Sequence, residues 1–212
     1  MRLNGNRPVT LILLAAGDSR RFDGNKLLYP LEGKPLYRHL ADRMAALKGS
    51  TFERVCLVSQ YEEILAGARE MGFEVCRNDR SDLGISHSVH LGLSMAGEED
   101  VCCFAVCDQP WLKAETVRGL VEGFLRSGKG LGCLGCRERT GDEIRLGNPA
   151  IFAPGYRREL LALTGDVGGR KIIKKHPEDL YVFQVSDAAE LEDVDTRSQL
   201  PAASTYSSAP SE

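Results

Sequence analysis
No apolar run in these 212 residues approaches the ~20 that a bilayer-spanning helix requires. An excess of basic charge is also missing. Twenty-seven Lys and Arg stand against 30 Asp and Glu, for a net charge of −3 and a pI near 5.9. That balance argues against general binding to nucleic acid or to an anionic membrane, both of which want a basic surface. A disulfide framework is absent as well. The seven cysteines are an odd number, and most lie within apolar, strand-like runs, which fits buried thiols in a reducing compartment. Cys133 and Cys136 form a lone Cys-x-x-Cys with no further ligands at zinc spacing, and no carboxylate completes a metal site at His87 and His90. The first residues, MRLNGNRPVTLILLAAG, have a basic start and a short apolar stretch, but no small-x-small cleavage site follows. They read as a first strand, and the protein as cytoplasmic. What remains is ordinary for a globular chain, 42% hydrophobic and 27% charged. It is long enough to bury a core without staples.

Apolar runs alternate with amphipathic ones. Val9–Ala16 reads as a buried strand, and Leu36, Leu40, Met44 and Leu47 make a helical stripe over Pro35–Leu47. Arg54–Ser59 reads as a strand, Tyr61–Met71 as a helix, Phe73–Cys76 as a short strand, and Ser86–Met95 as a helix opened by Gly84. Val101–Cys107 is continuously apolar, as expected of a central strand buried on both faces. Ala114–Leu125 is amphipathic and helical. Further on, GKGLGCLGC suggests a Gly-rich strand, RERTGDEIR a hairpin, and GNPAIF a turn into a short strand. Helices are expected at Tyr156–Leu163 and before Pro177, and strands at Leu180–Val185 and Leu191–Val194. This alternation predicts an α/β fold with a doubly wound, mostly parallel sheet. Residues 1–200 read as one domain and 201–212, small and polar, as a disordered tail.

In such a sheet, ligands bind beyond the carboxyl ends of the strands. The loop after the first strand holds Gly17, Asp18, Ser19, Arg20, Arg21, Asp23, Gly24, Asn25 and Lys26. Small residues there admit a close ligand, and the cations suit phosphate. The Walker A spacing fails, and so does the dinucleotide fingerprint at this strand. Gly130, Gly132 and Gly135 match that fingerprint by letters, but a polar hairpin-like stretch follows them in place of a helix. Three further segments occupy strand ends: Leu83 to Ser86 with Ser88, Asp108-Gln109-Pro110, and Asp193 with Asp195 near the last strand. A carboxylate ending an apolar strand needs a partner or a cation. Asp108 therefore reads either as a magnesium ligand, with Asp193 or Asp195, or as an N-cap for the next helix.

LAAGDSRRFDGNKLL resembles the signature of the MobA-like nucleotidyltransferases, with one extra residue between arginine and glycine. GISHSVHLGL, CDQPWL, GNPAIF, GDVGGRKII and LEDVDT are similar to later family segments, in the family order, so that the resemblance spans Val9 to about Leu200. Ala15-Ala16-Gly17 resembles the molybdenum cofactor cytidylyltransferases, whereas guanylyl relatives tend to Ala-Gly-Gly. The resemblance implies a Rossmann-like, three-layer fold of nucleotide-diphospho-sugar transferase type. It implies transfer of CMP from CTP to the phosphate of molybdopterin, with magnesium as cofactor and release of pyrophosphate. A recipient molybdoenzyme would be a further partner. Arg21, Lys26 and Asp108 would be the catalytic residues. Leu14, Ala15, Ala16, Gly17, Gly84 and Ser88 would join Arg21 and Lys26 in binding the nucleotide. Asn148, Asp166 and Arg170 would face the acceptor, and Asp108 with Asp195 would hold the metal. Plainer roles compete: Ser88 as a surface serine, Asn148 as a turn residue. A different base, another phosphorylated acceptor such as a sugar phosphate or methylerythritol phosphate, and a non-catalytic cofactor-delivery module remain as alternatives.

Overall fold
The computed structural model describes residues 7–17, 22, 24–137 and 143–199. In chain order its strands are β1 (Val9–Ala15), β2 (Pro30–Leu31), β3 (Lys34–Pro35), β4 (Arg54–Ser59), β5 (Glu74–Arg77), β6 (Val101–Val106), β7 (Leu131–Arg137), β8 (Ile144–Phe152) and β9 (Leu180–Gln184). The helices are α1 (Leu36–Ala45), α2 (Glu62–Glu70), α3 (Ile85–Met95), α4 (Ala114–Ser127), α5 (Arg157–Leu161) and α6 (Arg170–Lys175). Seven strands form one sheet in the order β5-β4-β1-β6-β8-β7-β9, and β2 pairs with β3 in a small hairpin. β5, β4, β1 and β6 run parallel, β8 is antiparallel to both β6 and β7, and β7 is parallel to β9. No helix among the described residues is long and apolar enough to cross a membrane.

Period-two side-chain alternation divides each central strand between two cores. Leu11, Leu13, Val55, Leu57, Cys103 and Ala105 pack on one face with Leu40 and Met44 of α1, Ile64 of α2 and Leu120 of α4. Ile12, Cys56, Val58, Cys102 and Phe104 pack on the other with Val89 and Leu93 of α3, Leu160 of α5 and Ile172 of α6. The result is a three-layer α/β fold, buried on both faces as the uninterrupted apolar run of β6 demands. α3 lies close on the sheet at Gly92, where a Cβ would stand 2.4 Å from the Ile12 side chain.

Two expectations are corrected. GNPAIF does not turn into a short strand; it lies wholly within the nine-residue β8, with a cis bond between Asn148 and Pro149. Leu191–Val194 is not a strand. A 3-10 turn at Ala188–Leu191 leads into irregular chain, which Val194 pins by filling a small cluster with Phe22, Leu31 and Leu36. Burying one such side chain is worth roughly 1.5–3 kcal/mol, enough to fix a segment with little backbone pairing. The expected tail, 201–212, and residues 138–142 of the expected hairpin lie outside the described residues.

Candidate nucleotide site
β1, β4 and β6 end side by side, and the loops after β1 and β6, with the segment after β5 that leads into α3, line a cavity of about 380 Å³. Leu14, Ala16 and Gly17 from the end of β1 line it, with Lys26 and Leu27. Gly84, Ile85 and Ser88 form the wall from α3, Val106 and Asp108 that from β6, and Asp166 and Asp195 complete the rim. Ala15 lies next to this wall but is buried in the core and does not line the cavity. Arg21 lies outside the described residues, as do Asp18, Ser19, Arg20 and Asp23.

Lys26 is the electrostatic centre. Asn25 caps the short 3-10 turn Lys26–Leu28, its side chain accepting from Leu27 N at 3.0 Å. The Lys26 ammonium then reaches Asp108 Oδ2 at 2.7 Å and Asp195 Oδ1 at 3.4 Å. Burial alone would lower its pKa, but the charges and hydrogen bonds of Asp108, and then of Asp195, raise it above the ordinary lysine value. Lys26 therefore stays cationic at any physiological pH.

Asp108 is not a helix cap, because α4 begins only at Ala114, with Lys113 in the capping position. Its Oδ1 is buried and finds no hydrogen-bond partner among the described residues. An orphaned carboxylate oxygen at this depth is costly unless a cation or a ligand proton meets it. Asp193 and Asp195 lie nine residues or more beyond the end of β9, not near that strand end as expected. They come to Asp108 because Val194 N donates to Asp108 O at 2.9 Å. Gln199 closes the same loop, with its Oε1 accepting from Asp195 N at 2.7 Å and its Nε2 donating to Asp193 O at 3.1 Å. Although much of Asp193 is exposed, its carboxyl is pushed up to about 6. Desolvation is the main cause and the Asp108 charge the next; Gln109 and Lys26 oppose, and Asp195 adds. Among the described residues Asp108 and Asp195 meet at the Lys26 ammonium, and two carboxylates at the rim of a cleft are a donor set that a divalent ion could use. Magnesium commonly takes one or two protein carboxylates together with substrate phosphates. Among the described residues no group of three His, Cys, Asp or Glu forms a self-sufficient metal cage.

On the opposite wall, Ser88 is not a surface serine. It is buried, and its Oγ accepts from Asn78 Nδ2 at 2.9 Å. Gly84, at φ +83°, turns the chain into α3, and Ser86 N donates to Gly165 O at 3.2 Å. That contact brings Asp166 to the rim. The three residues expected to face the acceptor are thus divided. Asp166 lines the main cavity, whereas Asn148 and Arg170 line a separate recess of about 50 Å³ with Cys133, Leu146 and Ile173. Carbonyls of the first loop are also occupied: Gln60 Nε2 donates to Ala16 O at 2.9 Å and the Tyr61 hydroxyl to Gly17 O at 3.1 Å.

Sequence reading missed Asn78, Gln60, Tyr61 and Gln199. The available signal was a polar residue directly after a strand, at positions 60 and 78. The side candidates disperse. His90 Nε2 is taken up by Leu160 O at 3.2 Å, which leaves no His87–His90 metal pair. Cys133 and Cys136 pack into the cores on opposite faces of the sheet. Gly132 and Gly135 lie inside β7, not in a strand-to-helix turn, so the dinucleotide fingerprint is a coincidence of letters.

The sequence model of one family, described as a MobA-like NTP transferase domain, matches residues 11–180. A nicotine blue oxidoreductase of Paenarthrobacter nicotinovorans is 28% identical over 195 residues, covering 91% of this chain and 94% of that protein. A molybdenum cofactor guanylyltransferase of Syntrophotalea carbinolica is 29% identical over 158 residues, 74% of this chain and 67% of that one. Among solved structures, a nucleotidyl transferase from Methanothermobacter thermautotroptrophicus superposes with a TM-score of 0.73 at 23% identity, covering 91% of this chain and 94% of that one. The last of these comparisons bears on the fold.

Proposed function
The chain belongs to the MobA-like NTP transferase family and is a nucleotidyltransferase, and from that premise we propose that it transfers CMP from CTP to the phosphate of a molybdopterin-type acceptor. The acceptor phosphate oxygen attacks the α-phosphorus, a new P–O bond forms, the α–β bridge breaks, and pyrophosphate leaves. No protein nucleophile is needed, so positioning and charge compensation carry the catalysis. Two like charges 4 Å apart repel by ~1 kcal/mol in water and ~4 kcal/mol at an effective dielectric near 20, so the anionic partners need cations between them.

Lys26 is the observation that carries the reading: a half-buried ammonium held by Asp108 and Asp195 on the wall of the cavity beside the end of β1. It stabilises negative charge as the bond to pyrophosphate breaks. Arg21, carried over from the family signature, would add to it. Asp108 and Asp195 would hold magnesium, and the orphaned Asp108 Oδ1 supports that assignment. When bound, the ion supplies the charge that lets two phosphates meet. Leu14, Ala16, Gly17, Gly84 and Ser88 would enclose base and ribose. Asp166 would meet the acceptor first, and Asn148 with Arg170 its distal part.

Ala16 lines the cavity where guanylyl relatives tend to glycine, and a residue with a side chain there supports the smaller pyrimidine base. The Syntrophotalea relative is named for guanylyl transfer, so base choice is the point to test. The Paenarthrobacter relative is named an oxidoreductase, but a lysine set between aspartates suits phosphate chemistry better than hydride transfer. The test supplies CTP, GTP, UTP and ATP with magnesium and molybdopterin, and also a sugar phosphate and methylerythritol phosphate as acceptors. CTP with molybdopterin should turn over fastest; preference for GTP or another acceptor would overturn that specificity. Binding of molybdopterin without consumption of any nucleotide would point to a delivery role in handing cofactor to a molybdoenzyme.

A further inference from the structure
We infer that Asn78 is a specificity-determining positioning residue: it fixes the Ser88 hydroxyl as a hydrogen-bond donor toward an acceptor atom of the nucleotide base. Asn78 follows β5 directly and is 1% exposed, so it does not itself line the cavity. Its orientation is determined by the surrounding bonds. The backbone N–H of Arg80 can only donate, and it lies 3.0 Å from Asn78 Oδ1. The amide nitrogen must therefore be the atom facing Ser88, at 2.9 Å. The Asn78 backbone is held as well, with its N–H donating to Ser59 O at 2.9 Å.

A hydroxyl has one proton to give. Because Ser88 Oγ accepts from an amide that cannot accept in return, the Ser88 proton points elsewhere. Among the described residues Asn78 is the sole hydrogen-bond partner of that hydroxyl, and Ser88 lines the main cavity. The proton is therefore presented to the ligand. The recognised group is an acceptor, a ring carbonyl oxygen or an unprotonated ring nitrogen, and not an exocyclic amine at that point. This inference rests on the cavity being a nucleotide site and adds the sense of one hydrogen bond within it.

Asn78→Asp tests it, because aspartate keeps the shape and the bond from Arg80 N while reversing the bond to Ser88. The ionised carboxylate draws the Ser88 proton to itself and turns lone pairs toward the base. Dissociation constants for CTP and for base-free inorganic tripolyphosphate are measured by calorimetry at pH 8 with magnesium, alongside thermal melts. The expected result is CTP binding weakened about tenfold or more, since a reversed buried bond leaves an acceptor facing an acceptor. Tripolyphosphate binding should change by less than about twofold. Asn78→Ala, which leaves Ser88 free to rotate, should fall between the native chain and Asn78→Asp; it decides the matter if the aspartate variant does not fold. Unchanged CTP affinity in a folded variant overturns the inference. So does an equal loss for tripolyphosphate, which would assign the effect to added charge. If the native chain binds neither probe, the nucleotide reading of the cavity falls, and this inference with it.

Discussion
Lys26 and Asp108 share one ion pair but face different tasks. Lys26→Ala should lower turnover at least about tenfold while the cooperative melt persists, because the ammonium offsets charge in the cleft and is not part of either main core. Wild-type rates in that variant would remove the role. Asp108→Asn should abolish magnesium-dependent turnover and weaken manganese binding, read by electron paramagnetic resonance. Unchanged metal affinity would reduce Asp108 to a counter-ion for Lys26. The cysteines set an alkaline limit. Burial pushes the Cys56 and Cys133 thiols up to about 12 from an unfolded value near 9. The unfolded chain therefore holds fewer protons between those limits, and stability should fall as pH rises from 9 toward 12. The six buried thiols, all but Cys76, should also resist alkylation at pH 8 until denaturant is added; rapid labelling of more than one cysteine would contradict their burial. Lys26 was legible as a cation of the loop after the first apolar strand, and Asp108 as a carboxylate just past the end of another. Asn78 and Gln199 were not, because their roles come from hydrogen bonds to residues ten and fewer positions away whose geometry no spacing rule encodes.

At the scale of elements, the turn into α3 couples the two walls of the cleft. Gly84 has φ +83°, and a Cβ there would stand 2.4 Å from the carbonyl carbon of Gly165. Gly84→Ala combines backbone strain with a clash against main chain, which cannot rotate away. It should destabilise the fold by about 1–3 kcal/mol and weaken CTP binding, measured by chemical denaturation and calorimetry. A neutral result would mean that the Gly165–Asp166 loop yields freely. The helices and parallel strands were legible because their apolar periods are strong: Arg54–Ser59 and the start of α4 match the expected bounds. β8 was harder, because an Asn-Pro pair reads as a turn although here it sits in a strand, at the register shift where Cys133 pairs with Ala150 and Leu134 with Gly147. Leu191–Val194 was misread as a strand because Val194 is buried by tertiary packing, not by sheet pairing.

For the whole molecule, the parallel half of the sheet makes the site. β1, β4 and β6 end together, so the β1 loop, Gln60 and Asp108 meet without any long connection. The antiparallel β8, with β7 and β9, extends the sheet away from this edge and carries the recess of Asn148 and Arg170. Amide exchange should be slowest in β1, β4 and β6, whose side chains are covered on both faces. The fold class was legible from alternation alone; the place of the last carboxylates was not, since it depends on how the chain returns to β6 after β9. Where the phosphorus atoms go separates nucleotidyl transfer from every other use of the triphosphate. The chain is incubated with magnesium, molybdopterin and CTP labelled with radioactive phosphorus at either the α or the γ position. The α-label should appear on the acceptor and the γ-label in pyrophosphate, both at least about tenfold more slowly in Lys26→Ala. Transfer of the γ-label to the acceptor, or no transfer from any nucleoside triphosphate, would contradict nucleotidyl transfer.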